Sequence, residues 1–233
     1  MKKILLLLLL PVICSAQYKT GKDLIISLHK KNYGKYCKTQ SFKQTTNKYK
    51  NDSLISGQIW TEYLEFPDKL RIDVGDTSKG NYIIFKNDSS FRFKEFKLVS
   101  EEADKNLIML LLGGMYHRKK EDVVKRMEGF GIDLKLLSKQ TIDGIECYVV
   151  GVASADETKT QVWYNKGTLL LERFIENDNG TLIDVRVKAR QKACGGETET
   201  KLDIYINGKL YQQEIYFDIE TGKKIPKEKF GIK

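Results

Sequence analysis

Nearly every β-favouring stretch of this chain is followed by a tight turn and then by another such stretch. Gly57–Phe66 (GQIWTEYLEF) ends at Pro67 and Asp68. Lys69–Val74 (KLRIDV) then alternates cleanly, with Leu70, Ile72 and Val74 on one side and Arg71 and Asp73 on the other. Asn81–Lys86 follows, Asn87–Ser90 reads as a tight turn, and Phe91–Val99 reads as one further strand. Downstream, Glu146–Val152, Thr160–Asn165, Thr168–Glu176, Thr181–Arg190, Glu199–Ile206 and Lys209–Ile219 are all strand-like. Asn207-Gly208 is the strongest hairpin signal, because both residues tolerate the positive φ of a type I′ turn. Short turns between successive strands imply antiparallel neighbours. About ten such strands twist and curl rather than lie flat, as a barrel, a half-barrel or a sandwich.

Two regions break the pattern. From Gly21, the segment KDLIISLHKKNYGKY carries Leu24, Ile25 and Leu28 at helical spacing, with Gly34 as a stop. In the middle, Asp104–Leu112 (DKNLIMLLL) is apolar without alternation and Gly113-Gly114 interrupts it. Lys119–Gly129 then reads as an amphipathic helix with Val123, Val124 and Met127 on its apolar side. These pieces are either an ordinary crossover packed on the core or a lid hinged at the glycines. The fold class is therefore mainly β (α+β), with helices available to fill the concave face of a curled sheet.

The N-terminus bears on compartment. Lys2 and Lys3 precede the apolar run Ile4–Leu10, and Cys14, Ser15 and Ala16 suit a signal peptidase. This places an export signal at residues 1–16 and a mature domain at 17–233. The run is too short to span a bilayer, which needs about 20 apolar residues. A lipoprotein anchored in the outer membrane through Cys14 is the alternative. The formal charge is +9, from 40 Lys and Arg against 31 Asp and Glu, and the two signs are interspersed. That pattern reads as a solvated surface and not as a nucleic-acid stripe.

Catalytic signatures are missing from the sequence. There is no GxSxG elbow, HExxH pair or phosphate-cradling glycine loop. His29, on the predicted helix beside Lys30, reads as a surface residue. Cys37, Cys147 and Cys194 show no CxxC spacing, so neither a zinc site nor a cofactor is expected; three internal pairings are possible for one disulfide. No catalytic residue and no metal ligand is assigned, and the chain reads as a non-enzyme.

The order of these elements resembles the LolA-like lipoprotein carriers. The likeness rests on the N-terminal helix, the Ser41–Thr46 strand (SFKQTT), and the glycine-opened aromatic strand running through GQIWTEYLEFPDKLRID. It is completed by IDGIECYVVG and QVWYNKGTLLLERFIE between Ile142 and Glu176. The resemblance covers about Gly21 to Lys233. It implies a single curved antiparallel sheet forming an incomplete β-barrel, with the N-terminal and central helices covering the concave face. It also implies a periplasmic carrier that binds lipid or lipoprotein acyl chains in an apolar cavity for transfer to the outer membrane, with membrane-associated donor and acceptor proteins as partners and no nucleic acid. A sensor of envelope stress and a secreted structural module with a filled core are the competing readings. Exposing a chain of about 16 carbons to water costs ~12 kcal/mol at ~0.8 kcal/mol per methylene, which is why such a carrier is needed. On this reading Trp60, Leu64, Phe66, Leu70, Ile72 and Ile84 contact the acyl chain, and Leu107, Met109, Leu110 and Leu111 line the lid. One departure is visible: where the family carries an arginine before the proline of the early strand, this chain has Phe66.

Overall fold

The computed structural model describes residues 18–193 and 195–232. The expected export signal and its cleavage site lie outside the described residues, as does Cys194. In chain order the elements are α1 (Gly21–Asn32), β1 (Thr39–Lys50), β2 (Ser53–Glu65), β3 (Lys69–Val74), β4 (Tyr82–Lys86), β5 (Ser89–Lys94) and β6 (Lys97–Ala103). Two helices follow, α2 (Leu107–Leu111) and α3 (Lys120–Gly129). The chain then forms β7 (Leu137–Ile142), β8 (Ile145–Val150), β9 (Gln161–Asn165), β10 (Leu171–Asp178), β11 (Thr181–Ala193), β12 (Gly196–Ile206) and β13 (Lys209–Thr221).

All 13 strands belong to one antiparallel sheet, ordered β6-β5-β4-β3-β2-β1-β13-β12-β11-β10-β9-β8-β7. The sheet is thus two meanders, β1–β6 and β7–β13, joined where the first strand pairs with the last. Strands β6 and β7 are unpaired edges, so the curved sheet stays open as an incomplete barrel. The segment between them, carrying α2 and α3, lies across the concave face.

The hairpins explain both the regularity of the sheet and the strands hidden from sequence patterning. Asn51-Asp52, Asn87-Asp88, Glu95-Phe96, Asp143-Gly144, Asn179-Gly180 and Asn207-Gly208 each place two successive residues at positive φ, the geometry whose twist suits a two-residue hairpin. The predicted single strand Phe91–Val99 is in fact two, folded back at Glu95-Phe96. Neither residue is a usual turn former. The turn is held by Gly80, whose carbonyl accepts from Phe96 N at 2.9 Å and whose missing Cβ leaves room for the Phe96 ring. Strand β7 is a further element that the sequence pattern did not reveal.

Helix α1 forms as predicted; it ends at Asn32, is capped by Tyr33, and the chain leaves it through Gly34 (φ 69°). Thr20 and Asp23 make a reciprocal capping box, and His29, Lys30 and Lys31 complement the C-terminal dipole. Leu24, Ile25 and Leu28 are buried against Val150, Val162, Tyr164, Phe174, Val185 and Leu202, together with Leu107, Leu110 and Leu111 of α2 and Val123 and Met127 of α3. This main core fills the concave face of the β8–β12 half. The outer face of that half is also sealed, by Cys147, Val149, Val152 and Trp163. Over β3, the outer face is covered by the chain after β13: Arg71 Nη1 and Lys86 Nζ donate to the carbonyls of Lys229 and Phe230 at 3.2 and 3.4 Å.

His29 is buried, not a surface residue; its Nε2 lies 2.8 Å from the Arg118 carbonyl, tying α1 to the start of α3. Cys37 is disulfide-bonded. Cys147 is a free, buried thiol whose pKa is pushed up to about 11 by burial, with the Glu172 charge adding to it. Such a thiol carries little thiolate at neutral pH and is a poor nucleophile.

Candidate functional site

The β1–β4 half of the concave face is built differently. Register sets Gln40 opposite Leu64, Leu64 opposite Leu70, and Leu70 opposite Phe85, so all four share the inner face. One step along, Phe42, Glu62 and Ile72 form a second row on that face. Helix α2 lies above with Ile108, Met109 and Leu112, and β12 and β13 close the far side with Thr198, Glu199, Glu214 and Tyr216. These residues, with Asn106, surround a cavity of about 160 Å³.

Helix α2 is only five residues long and its placement depends on its cap. Asn106 sits at a left-handed φ of 48°, and its side chain accepts from Met109 N at 2.9 Å. The helix straddles the two halves of the interior. Leu107, Leu110 and Leu111 anchor in the main core, whereas Met109 joins Phe42, Leu64, Phe66 and Leu70 in a second cluster. The glycines after it are not a free hinge. A Cβ on Gly113 would lie 2.6 Å from the Tyr36 ring and 2.9 Å from Phe66; one on Gly114 would lie 2.6 Å from the Met109 carbonyl. Gly113 is where the Tyr36 and Phe66 rings press against the cover, and Gly114 is where the chain turns back closely over α2.

Of the predicted contact residues, the structure brings Leu64, Leu70, Ile72 and Met109 together around the cavity. Phe66 backs the same cluster, stacked on His117 with ring centroids 5.7 Å apart and edge-on to Tyr36. Trp60 shares the face but stands further along β2, where Lys48 lies over its ring. Leu107, Leu110 and Leu111 are buried in the main core instead. Ile84 lies on the opposite face: it is paired with Arg71 and packs against Phe91 and Phe93. Strand β4 carries Phe85, not Ile84, toward the cavity, because the pairing of Leu70 with Phe85 sets the pleat.

The polar side of the cavity was not anticipated. Glu62 is 8% exposed. Burial, and then the charge of Glu214, raises its carboxyl well above the usual range. Burial also raises Glu214, although Tyr216 Oη and Gln212 Nε2 each donate to its carboxyl at 2.5 Å. Glu199 is pushed up to about 7, chiefly by burial. Gln40 Nε2 donates to Thr198 Oγ1 at 2.9 Å beside it. The only hint in the sequence was Glu62, which interrupts the apolar face of β2; Gln212, Glu214 and Tyr216 alternate on β13 in the same way.

The cover is held by polar ties at its far end. Arg126 of α3 makes a bidentate pair with Asp88, in the β4–β5 turn, at 2.7 and 3.0 Å, and also contacts Asp122. The Asp88 carboxyl is held below its usual range by those hydrogen bonds. His117 Nε2 lies 3.0 Å from the Cys37 carbonyl. Where the family pattern has an arginine, Phe66 with Tyr36 and His117 forms an aromatic contact to the cover. Among the described residues no group of His, Cys, Asp and Glu is arranged to hold a metal ion.

No protein-family profile matches the chain, and no curated protein sequence does. Solved structures do match its fold. A DUF1329 family protein from Desulfovibrio piger superposes with a TM-score of 0.59 at 12% identity, covering 91% of this chain and 95% of the other. A LolA superfamily protein from Nitrosomonas europaea gives 0.58 at 12% identity, over 91% and 98% of the two chains. A domain described as an outer membrane lipoprotein-sorting protein from Vibrio parahaemolyticus gives 0.56 at 10% identity, over 88% and 94%. At these identities the likeness speaks for architecture. Open sheet, helical cover and strand order together make this chain a LolA-like fold.

Proposed function

We propose that the protein is a carrier, not an enzyme: its cavity holds the acyl chain of a lipid or lipoprotein while the protein crosses the periplasm toward the outer membrane. On this reading residues 17–233 are one carrier domain exported by the signal at 1–16, and donor and acceptor proteins at the two membranes load and unload it. The observation that carries the reading is the apolar-walled cavity of about 160 Å³ between the inner face of β1–β4 and α2. The cavity communicates with solvent, yet Leu64, Leu70, Ile72, Phe85, Ile108 and Met109 present apolar surface to it that no side chain of the protein covers. A hydrocarbon chain is the ligand that such a surface fits.

The resting cavity has room for about one benzene ring, far less than a long acyl chain occupies. Loading therefore requires α2 to shift from the inner face. Its short length, its strained cap and its position between the two clusters suit it to that role.

The test is direct. Protein purified from the exporting cell is extracted with organic solvent and the extract analysed by mass spectrometry, alongside binding of a fluorescent acyl-chain probe. Co-purifying phospholipid or acylated peptide, and probe binding abolished by Leu64→Arg in a variant with unchanged circular dichroism, support the carrier. A protein that is consistently empty and gives no probe signal contradicts it.

A further inference from the structure

The polar wall of the cavity identifies the head group better than the apolar wall identifies the chain. Glu62 is more than nine-tenths buried, at 8% exposed; no protein group among the described residues hydrogen-bonds its carboxyl, whose remaining exposure is to the cavity it lines. Glu214, acting on it from β13, already holds the donors Gln212 Nε2 and Tyr216 Oη. On the same face of β1, the buried Gln44 Oε1 also lacks a partner. No Lys or Arg lines the cavity. The wall thus offers acceptors and latent negative charge, and its one uncommitted amide donor, Asn106 Nδ2, lies across the cavity on the α2 cap. Leaving buried acceptors unmet is costly, and an incoming group that supplies donors recovers that cost.

We propose that the cavity selects an amphiphile whose polar end is a primary ammonium with no phosphate beside it, seated against Glu62 and Glu214 while its hydrocarbon lies along Leu64, Leu70 and Met109. This rests on reading the cavity as a chain-binding site and adds the chemistry of the head group. An ammonium brings three donors and no acceptor, matching the deficit. A carboxylate or phosphate end brings more acceptors and a like charge into a weakly screened site, with no cation on the wall to receive it.

The test uses the mature protein and four probes that share one hexyl chain and differ at the polar end: hexylamine, hexanol, hexanoate and the hexyl ester of phosphoethanolamine. Each is titrated at pH 8 by NMR shift perturbation. Hexylamine is expected to bind about tenfold or more tighter than hexanol, the worth of one charge-assisted hydrogen bond, with hexanoate and the phosphate ester weaker than hexanol. In Glu62→Gln and Glu214→Gln the ratio of hexylamine to hexanol affinity is expected to fall toward one. Hexanol binding as well as hexylamine, or the phosphate ester matching hexylamine, overturns the head-group assignment and leaves the chain site standing. Binding of none of the four overturns the chain site itself. Should a glutamine variant fail to fold, the wild-type series decides alone.

Discussion

The two halves of the concave face have similar strands and different interiors. In the β8–β12 half, Val150, Val162, Phe174, Val185 and Leu202 are at most 1% exposed and pack in one cluster with the buried side chains of α1 and α3. In the β1–β4 half, Leu64 and Leu70 are almost as buried, at 7% and 6% exposed, yet they border a cavity. Exclusion from bulk water is therefore not the same as being packed. Coverage makes the difference: three helices press on one half, while only the edge of α2 reaches the other. Polar residues from β1, β2, β12 and β13 then keep the second half from collapsing into a wholly apolar core.

Substitutions separate the halves by the size of their effects. Phe174→Ala, in the solid half, is expected to cost about 3–5 kcal/mol in urea unfolding, with the acyl-probe Kd of the folded protein unchanged. Leu70→Ala, in the hollow half, is expected to cost only about 2 kcal/mol, because that side chain already lacks contacts on one side. It should also change probe affinity. Equal costs at the two positions would erase the distinction drawn here.

Acidity acts on the hollow half in a defined direction. Glu62, Glu214 and Glu199 have raised folded pKa values, so the folded state holds their protons more tightly than the unfolded state does. Their stabilising contribution is fully present below the ordinary value near 4.5. It is lost as pH rises, for Glu199 through about 7. The groups acting on them include Tyr216, Gln212 and Gln44 for Glu214, and Arg190, Glu197 and Glu172 for Glu199. The urea midpoint should therefore be higher at pH 5 than at pH 8, and Glu62→Gln should flatten that dependence. A midpoint that rises with pH across this interval would show the carboxyls ionised and well solvated. The smallest effect is expected at the tie to α3. The Arg126–Asp88 pair is partly exposed, so Asp88→Asn should cost no more than about 1 kcal/mol. If that tie restrains the cover, stopped-flow release of the probe becomes faster while equilibrium stability barely changes.

Much of the architecture was legible because its turns are chemically marked. Asn207-Gly208 and the clean alternation of Lys69–Val74 gave strand, turn and face at once. Glu95-Phe96 was opaque, since its turn depends on a distant glycine, Gly80, that only the folded chain brings beneath the ring. The facing of Ile84 was equally hidden: YIIF is apolar on both sides of the pleat, and pairing with β3 decides which residue points inward. The DKNLIMLLL run shows that a buried helix was readable, but not that Met109 and its neighbours Leu110 and Leu111 would enter different clusters. The burial of Glu214 is not legible in the sequence, because a strand of mixed polarity looks solvent-facing until its neighbours are known.

The most direct measurement is photocrosslinking with a diazirine-bearing fatty acid, mapped by peptide mass spectrometry on the mature protein. Adducts are expected on Leu64, Ile72, Phe85, Ile108 and Met109, and none on the inner residues of β8–β11. Adducts concentrated on Val162, Phe174 or Val185, or labelling no greater than that of a control protein, would contradict the placement of the ligand in the β1–β4 half.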